Sequence, residues 1–284
     1  MTATLTVVRP GPLTTVQDLG RPGYAHVGVP PSGAADAPAL RLANRLAGNP
    51  DDAAALELTL GGLTIVLSAP RLVALAGAPA RLTVDGRHAE PYVAVEVPAG
   101  AKVAVGVPGT GVRSYLAIGG GVAVSPVLGS RATDLLSGLG PSPLAAGAVL
   151  PLGEPTGPPG PPPEHGEPVI PEPRLRLYPG PRADWFTDAA LHRLTGEPYE
   201  VSVDSNRIAV RLRGPRLDRR RADELASEGL VTGAVQVPPN GQPLLFLTDH
   251  PTTGGYPVIG VVHPDDLPRA AQARPGTTMR FQLA

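Results

Sequence analysis

The chain has 284 residues, 42% of them hydrophobic, with a formal net charge of −1 and no cysteine. That composition is globular and leaves room for one large or two ordinary domains. It excludes disulfides, thiolate catalysis and cysteine metal sites, and it carries no basic field for nucleic acid.

In chain order, the N-terminal run "MTATLTVVRPGPL" has no basic segment followed by a long apolar one, so it does not read as a secretion signal. No apolar run reaches the 18 residues of a membrane span, and the expected location is cytoplasmic. Next comes "PGPLTTVQDLGRPGYAHVGVPPSGAADAPALRLANRLAGN", dense in polar residues among glycines and prolines. Long turns of this kind carry function more often than strands do. Gln17, Asp18, Arg21, Ser32 and Asp36 are its candidates. Arg21 suits two-pronged binding of a carboxylate or phosphate, while an Asp18–Arg21 pair holding the loop is the plainer reading. A helix is expected after an Asp36 N-cap. Pro38 sits in its first turn, Leu42 and Leu46 recur at helical spacing, and Gly48 or Asn49 ends it.

"GGLTIVLSA", "RLVALAGA", "RLTVDGRHA", "YVAVEVPAGAKVAVGV" and "VRSYLAIGGGVAV" then read as short strands between turns. Ten of the 23 residues from Pro151 to Pro173 are proline. Proline lacks a backbone donor and fixes φ, so this stretch reads as a semi-rigid linker. The expected division is residues 1–150, a linker at 151–173, and residues 174–284.

The second half repeats the pattern. "RADWFTDAALHRLTGEP" predicts a helix with Trp185, Ala189 and Phe186, Ala190, Leu194 on one stripe, and a shorter helix follows Asp265-Asp266. "VPAGAKVAVG" and "ARPGTTMRFQ" echo one another faintly. In "SNRIAVRLRGP", period two places Arg207, Arg211 and Arg213 on one face, most simply a solvated basic one. Asn240-Gly241 predicts a hairpin. A two-residue turn there pairs Val237 with Leu244 and Gln236 with Leu245. Continued, it sets Thr232 opposite Asp249 and Glu228 opposite Thr253, with Glu228, Thr232, Gln236 and Asp249 on one face.

"LTDHPTTGGYPVIGVV" then breaks a strand with an acid, a histidine and a glycine-rich turn. Thr252, Thr253, Gly254 and Gly255 can aim backbone N–H groups at an anion where glycine takes positive φ, and Tyr256 adds a phenol. A glycine turn capped by Asp249 is the plainer alternative.

Several chemistries find no support. There is no Gly-x-Ser-x-Gly, no paired histidines at ligand spacing, and no Gly-x-Gly-x-x-Gly between a strand and a helix. No metal is expected. Lys102 is the single lysine, and no Gly-Lys-Ser/Thr or Met-Lys-Met occurs, so neither a phosphate loop nor a covalently attached biotin is expected on this chain.

Taken together, the first loop segment, "LELTLGG", "SNRIAVRLRGP" and "SEGLVTGAVQVPPNGQPLLFLTDHPTTGGYPVIGVV" resemble the biotin-dependent carboxyltransferase family. That family includes allophanate hydrolase subunit 2, KipA-type proteins and the C-type subunits of 5-oxoprolinase. The resemblance covers nearly the whole chain except the proline run. It implies a mainly β protein of two cyclophilin-like β-barrels with a few short helices. It also implies a smaller partner of the subunit-1 or KipI type, a lactam-utilisation subunit, and ATP used at the level of the complex to open 5-oxoproline to L-glutamate. Carboxyl transfer to a urea-like amide from a separate biotin carrier, or KipA-type antagonism of a kinase inhibitor, are the alternatives. The matching positions nominate Asp249, Glu228 and Arg21 for catalysis. Gln17, Asp18, Ser32, Asp36, Gln236, Thr252, Thr253, Gly254, Gly255 and Tyr256 are nominated for binding a small lactam or amide. Similar proteins often differ at His250, which makes Asp249 the acid of interest; Asp249→Asn is expected to lower turnover with little loss of folding.

Overall fold

The computed structural model describes residues 2–163, 173–221 and 223–284. Residues 164–172 of the expected linker lie outside these. The chain divides into two compact units: Met1–Arg21 with Asp36–Asp134 and Gly138–Ile170, and Pro22–Ala35 with Leu135–Ser137 and Pro171–Ala284. It is mainly β with three short helices among the described residues, α1 (Ala37–Leu46), α2 (Asp188–Gly196) and α3 (Leu267–Ala271). Among the described residues no helix is long and apolar enough to cross a membrane.

The first unit holds two antiparallel sheets. In the six-stranded sheet the order is Val149–Pro151, Thr4–Pro10, Leu63–Leu67, Lys102–Val105, Leu82–Val84, Arg87–Ala89. The five-stranded sheet runs Leu13–Gln17, Ala55–Thr59, Arg113–Ile118, Arg71–Gly77, Val95–Val97. Leu5, Val7 and Ile65 of one sheet meet Leu56, Leu58, Leu75 and Leu116 of the other in a single core. Each such side chain contributes about 1.5–3 kcal/mol by leaving water. Strand alternation sends Leu56, Leu58, Leu116 and Ile118 into this core, and turns Glu57, Arg113 and Tyr115 to the opposite face. On that side α1 packs against Arg71–Gly77 and Arg113–Ile118. It starts where expected: the Asp36 carboxylate accepts from Ala39 N at 3.1 Å. The proline-rich run begins on this unit, since Leu152 bridges Val122 and Gly160 N donates to Arg45 O at 2.8 Å.

In the second unit Arg174–Pro179, Val258–Val262, Ala234–Gln236, Leu244–Phe246, Ala209–Arg213, Tyr199–Val201 and Thr278–Leu283 close into a barrel. Thr278–Leu283 and Arg174–Pro179 pair in parallel where the ring shuts. Closure leaves no exposed strand edge. Val235, Leu245, Ile259, Met279 and Phe281 fill the interior, and α2 adds Ala190 and Leu194.

Two elements depart from expectation. The predicted second helix is broken: a 3-10 turn, Ala183–Trp185, gives way to extended Phe186, and α2 restarts behind a Thr187 N-cap. The Thr187 hydroxyl takes Ala190 N, offering the backbone a local alternative to continuous helix. Ala189 is therefore exposed, although Trp185, Phe186, Ala190 and Leu194 are buried. The hairpin is also one residue out of the expected register, because Gln236 pairs with Leu244 and Val235 with Leu245. Pro238, Pro239 and Pro243 cannot donate to a ladder, so pairing stops short and the turn closes as Gly241 N to Pro238 O, 2.9 Å. The two echoing segments do form like turns. Gly100 (φ 78°) and Gly276 (φ 82°) each precede a strand, and their N–H groups donate to Leu67 O (2.7 Å) and Val201 O (2.8 Å).

Candidate functional site

The nominated residues separate into groups whose hydrogen bonds are complete and groups with bonds still to make. Asp249 belongs to the first kind. It is fully buried, and Arg207, 1% exposed, grips it with Nε to Oδ2 and Nη2 to Oδ1, both 2.9 Å. Ser32 Oγ donates to Oδ1 at 2.8 Å and Leu135 N to Oδ2 at 3.2 Å. Arg207 also donates to Gly33 O (2.6 Å) and Thr248 Oγ1 (3.1 Å). The ion pair thus pins both Pro22–Ala35 and Leu135–Ser137 to the barrel. Ser32 sits at φ 51°, a left-handed conformation costing a non-glycine residue on the order of 1–3 kcal/mol. Its N–H to Thr248 O (3.1 Å) and its hydroxyl to Asp249 hold it there. His250 is buried beside it, with Nδ1 2.7 Å from Pro251 O.

The expected common face of Glu228, Thr232, Gln236 and Asp249 does not form, because the slipped register re-aims the side chains. Glu228 pairs with Gly254 in a separate two-stranded ribbon and forms a two-pronged ion pair with Arg182. The Arg182 hydrogen bond holds the Glu228 carboxyl below its ordinary range, so it stays ionised. The expected basic face divides too: Arg207 is buried while Arg211 and Arg213 are exposed.

Nor does Thr252–Tyr256 form an anion-binding turn of positive-φ glycines. Neither Gly254 nor Gly255 is in the left-handed region, and Thr253–Gly254 is a strand. Gly254 instead lies close over a side chain: a Cβ there would come 2.7 Å from Gln236 Nε2, at that side chain's flexible end. That amide donates to Tyr256 O at 2.8 Å and so fixes the turn from beneath. Tyr256 is exposed, with the Arg219 guanidinium 5.9 Å from its ring centre. Arg219 Nη2 donates to Val237 O, and its buried Nε has no acceptor among the described residues. Burial holds the Arg219 guanidinium below its ordinary value.

In the first unit Asp18 and Arg21 do not pair. The Asp18 carboxylate accepts from Gly20 N (2.8 Å), Ser130 Oγ (2.6 Å) and Arg131 N (2.6 Å). Arg21, 1% exposed, donates through Nε to Val127 O at 3.3 Å and through Nη2 to Ala132 O. Gln17 Nε2 reaches the neighbouring Thr133 O at 2.9 Å and Thr15 Oγ1 at 3.1 Å. Arg21 Nη1 and Gln17 Oε1 are buried without a partner among the described residues. Asp36 caps α1.

A cluster not nominated from sequence lies on the α1 face. Tyr115 OH donates to Glu57 Oε2 (2.7 Å) and accepts from Asp36 N (2.8 Å), while Arg113 Nε lies 3.5 Å from Glu57 Oε1. Burial, then the Glu57 charge, push the Tyr115 phenol well above its ordinary value, so it stays a donor. The available signal was a glutamate amid the apolar "ALELT". Cavities of about 510 Å³ beside Arg71 and Glu96, and about 290 Å³ beside His192 and Leu283, are lined by no nominated residue. Among the described residues no cluster of acidic or histidine side chains is disposed to hold a metal ion.

Comparison with known proteins adds relatives to this geometry. A family model described as carboxyltransferase domain, subdomain A and B, matches residues 27–283. The chain is 39% identical to the C-type subunit of 5-oxoprolinase from Escherichia coli (strain K12), over 98% of this chain and 90% of that one. It is 34% identical to urea amidolyase of Lachancea kluyveri, over 97% of this chain but 16% of that protein. Among solved structures, TTHA0988 superposes with a TM-score of 0.89 at 38% identity, over 99% of this chain and 55% of that one. The chain therefore spans about half of that structure's length. Kluyveromyces lactis urea amidolyase superposes with a TM-score of 0.93 at 30% identity, over 99% of this chain and 19% of that one.

Proposed function

The chain belongs to the carboxyltransferase domain family, subdomains A and B, and from that premise we propose that it is the C-type component of an ATP-dependent 5-oxoprolinase. The reaction is the opening of 5-oxoproline to L-glutamate. The observation that carries this reading is the match to the corresponding 5-oxoprolinase component of Escherichia coli, which runs through nearly all of both chains. The urea amidolyase of Lachancea kluyveri shares 16% of its length with this chain, and supports carboxyl transfer to a urea-like amide less directly. In the proposed assembly the enzyme is completed by two further proteins, a smaller one of the subunit-1 or KipI type and one of the lactam-utilisation type.

ATP, at the level of the complex, supplies the driving force for opening an unreactive amide. The residues of this chain do not fit a triphosphate: there is no Gly-Lys-Ser/Thr loop, and the one lysine, Lys102, is exposed on a strand. We place nucleotide binding on a partner. This chain's part is to bind and orient. Arginine keeps its proton at neutral pH, so Arg21 acts as a fixed donor and not as an acid. Asp249, saturated by donors, acts by holding Ser32 and Leu135 in place, and Glu228 stays ionised against Arg182. Donors held in place before the substrate arrives cost no reorganisation during reaction.

Avidin separates this reading from carboxyl transfer. Glutamate release by the assembled complex is expected to survive excess avidin. Its abolition would move the assignment to a reaction that runs through a biotinylated partner.

A further inference from the structure

Arg21 is a buried cation with no counter-ion among the described residues. It is 1% exposed, and its two hydrogen bonds go to neutral carbonyls, Val127 O and Ala132 O. Among the described residues no carboxylate lies within ion-pair distance of it. The nearest acid in sequence, Asp18, is committed to Gly20, Ser130 and Arg131. Nη1 is buried and donates to nothing among the described residues. Buried charges in folded proteins are paired, and a buried donor left unmet is costly. Earlier on the same chain segment, Gln17 is fully buried with the opposite deficit: Oε1 has no donor among the described residues. Its orientation is set by Nε2, which must face Thr133 O and Thr15 Oγ1. The two side chains are tied to successive carbonyls, Ala132 O and Thr133 O, of one segment.

We propose that Arg21 and Gln17 are a receptor for a small ligand bearing a carboxylate and an N–H. The carboxylate accepts from Arg21 Nη1, and Gln17 Oε1 accepts the N–H. This rests on the oxoprolinase reading for its ligand class, since a lactam acid carries both groups, and it deepens that reading by assigning the contacts. Gly140 lies against the guanidinium: a Cβ there would come 3.4 Å from Arg21 Nη2 and 2.1 Å from Ala132 O. Gly138 and Gly140 take left-handed φ of 71° and 79° in this turn.

The test is calorimetric titration of the full chain, and of the assembled complex, with L-5-oxoproline, with 2-pyrrolidone (the same ring without the carboxylate), and with inorganic phosphate. The expected result is saturable binding of 5-oxoproline, at least tenfold weaker binding of pyrrolidone, and no competition by millimolar phosphate. Arg21→Met is expected to abolish binding, and Gln17→Met to weaken it about tenfold. If Arg21→Met does not fold, the comparison of the two ring compounds on the unaltered protein still decides. Equal binding of pyrrolidone, preferential binding of phosphate, or no binding of 5-oxoproline to chain or complex would overturn the receptor. The two readings fail separately. Arg21-dependent binding with no glutamate release by the complex keeps the receptor and removes the oxoprolinase. Full glutamate release by an Arg21→Met complex does the reverse.

Discussion

Arg207→Ala is expected to destabilise the protein by about 3–5 kcal/mol, the typical cost of removing one partner of a buried ion pair. Both members of the Arg207–Asp249 pair are at most 1% exposed, and the bond is two-pronged at 2.9 Å. Deleting the guanidinium leaves a carboxylate inside the protein with Ser32 Oγ and Leu135 N for partners. Asp249→Asn acts from the other side, stranding the Arg207 charge. The sequence-based expectation that this change spares folding is therefore replaced: any loss of turnover is expected to accompany a loss of stability. Urea denaturation measures both single variants. A double variant, Arg207→Met with Asp249→Leu, should lose less than the two single changes summed, because an apolar pair of similar volume strands no charge. A cost below about 1 kcal/mol for Arg207→Ala would contradict the pair's structural role.

Glu57→Ala is expected to cost a similar amount, about 3–5 kcal/mol. It removes the acceptor of Tyr115 OH and the carboxylate opposite Arg113, both buried under α1. Tyr115→Phe is the milder change, at about 1–3 kcal/mol, since it leaves Glu57 Oε2 and Asp36 N one partner short. A pH signature accompanies it. The folded phenol is held above the value of a free tyrosine, so the folded state binds the proton more tightly. Its contribution is whole below about pH 10 and falls as pH rises beyond that. Spectrophotometric titration should show fewer tyrosines ionising near pH 10 in the folded protein than in the unfolded one, and Tyr115→Phe should reduce that shortfall by one. Ionisation of Tyr115 at an ordinary value would contradict its burial against Glu57.

Local chemistry was legible where one segment decides the outcome. Asp36, Pro38 and the helical spacing of Leu42 and Leu46 specify α1 without reference to anything distant, and α1 forms there. Legibility failed where a partner far along the chain decides. Arg207 sits 42 residues from Asp249, and period two alone read it as part of a solvated face with Arg211 and Arg213. The hairpin register was lost because Asn240-Gly241 outweighed the flanking prolines, which forbid the ladder bonds a two-residue turn needs. The pattern of Gly254 and Gly255 suggests φ freedom, whereas neither takes positive φ. Glu57 and Tyr115 were invisible as a pair until strand register set them opposite each other.

The measurement that bears most directly on function is glutamate release from 5-oxoproline and ATP. It compares the partner subunits without this chain, this chain alone, and all of them mixed. Release only in the full mixture, falling when Arg21→Met replaces the natural chain, is the predicted result. Partner subunits that turn over equally well without this chain, or a mixture that assembles and releases no glutamate, would contradict the assignment.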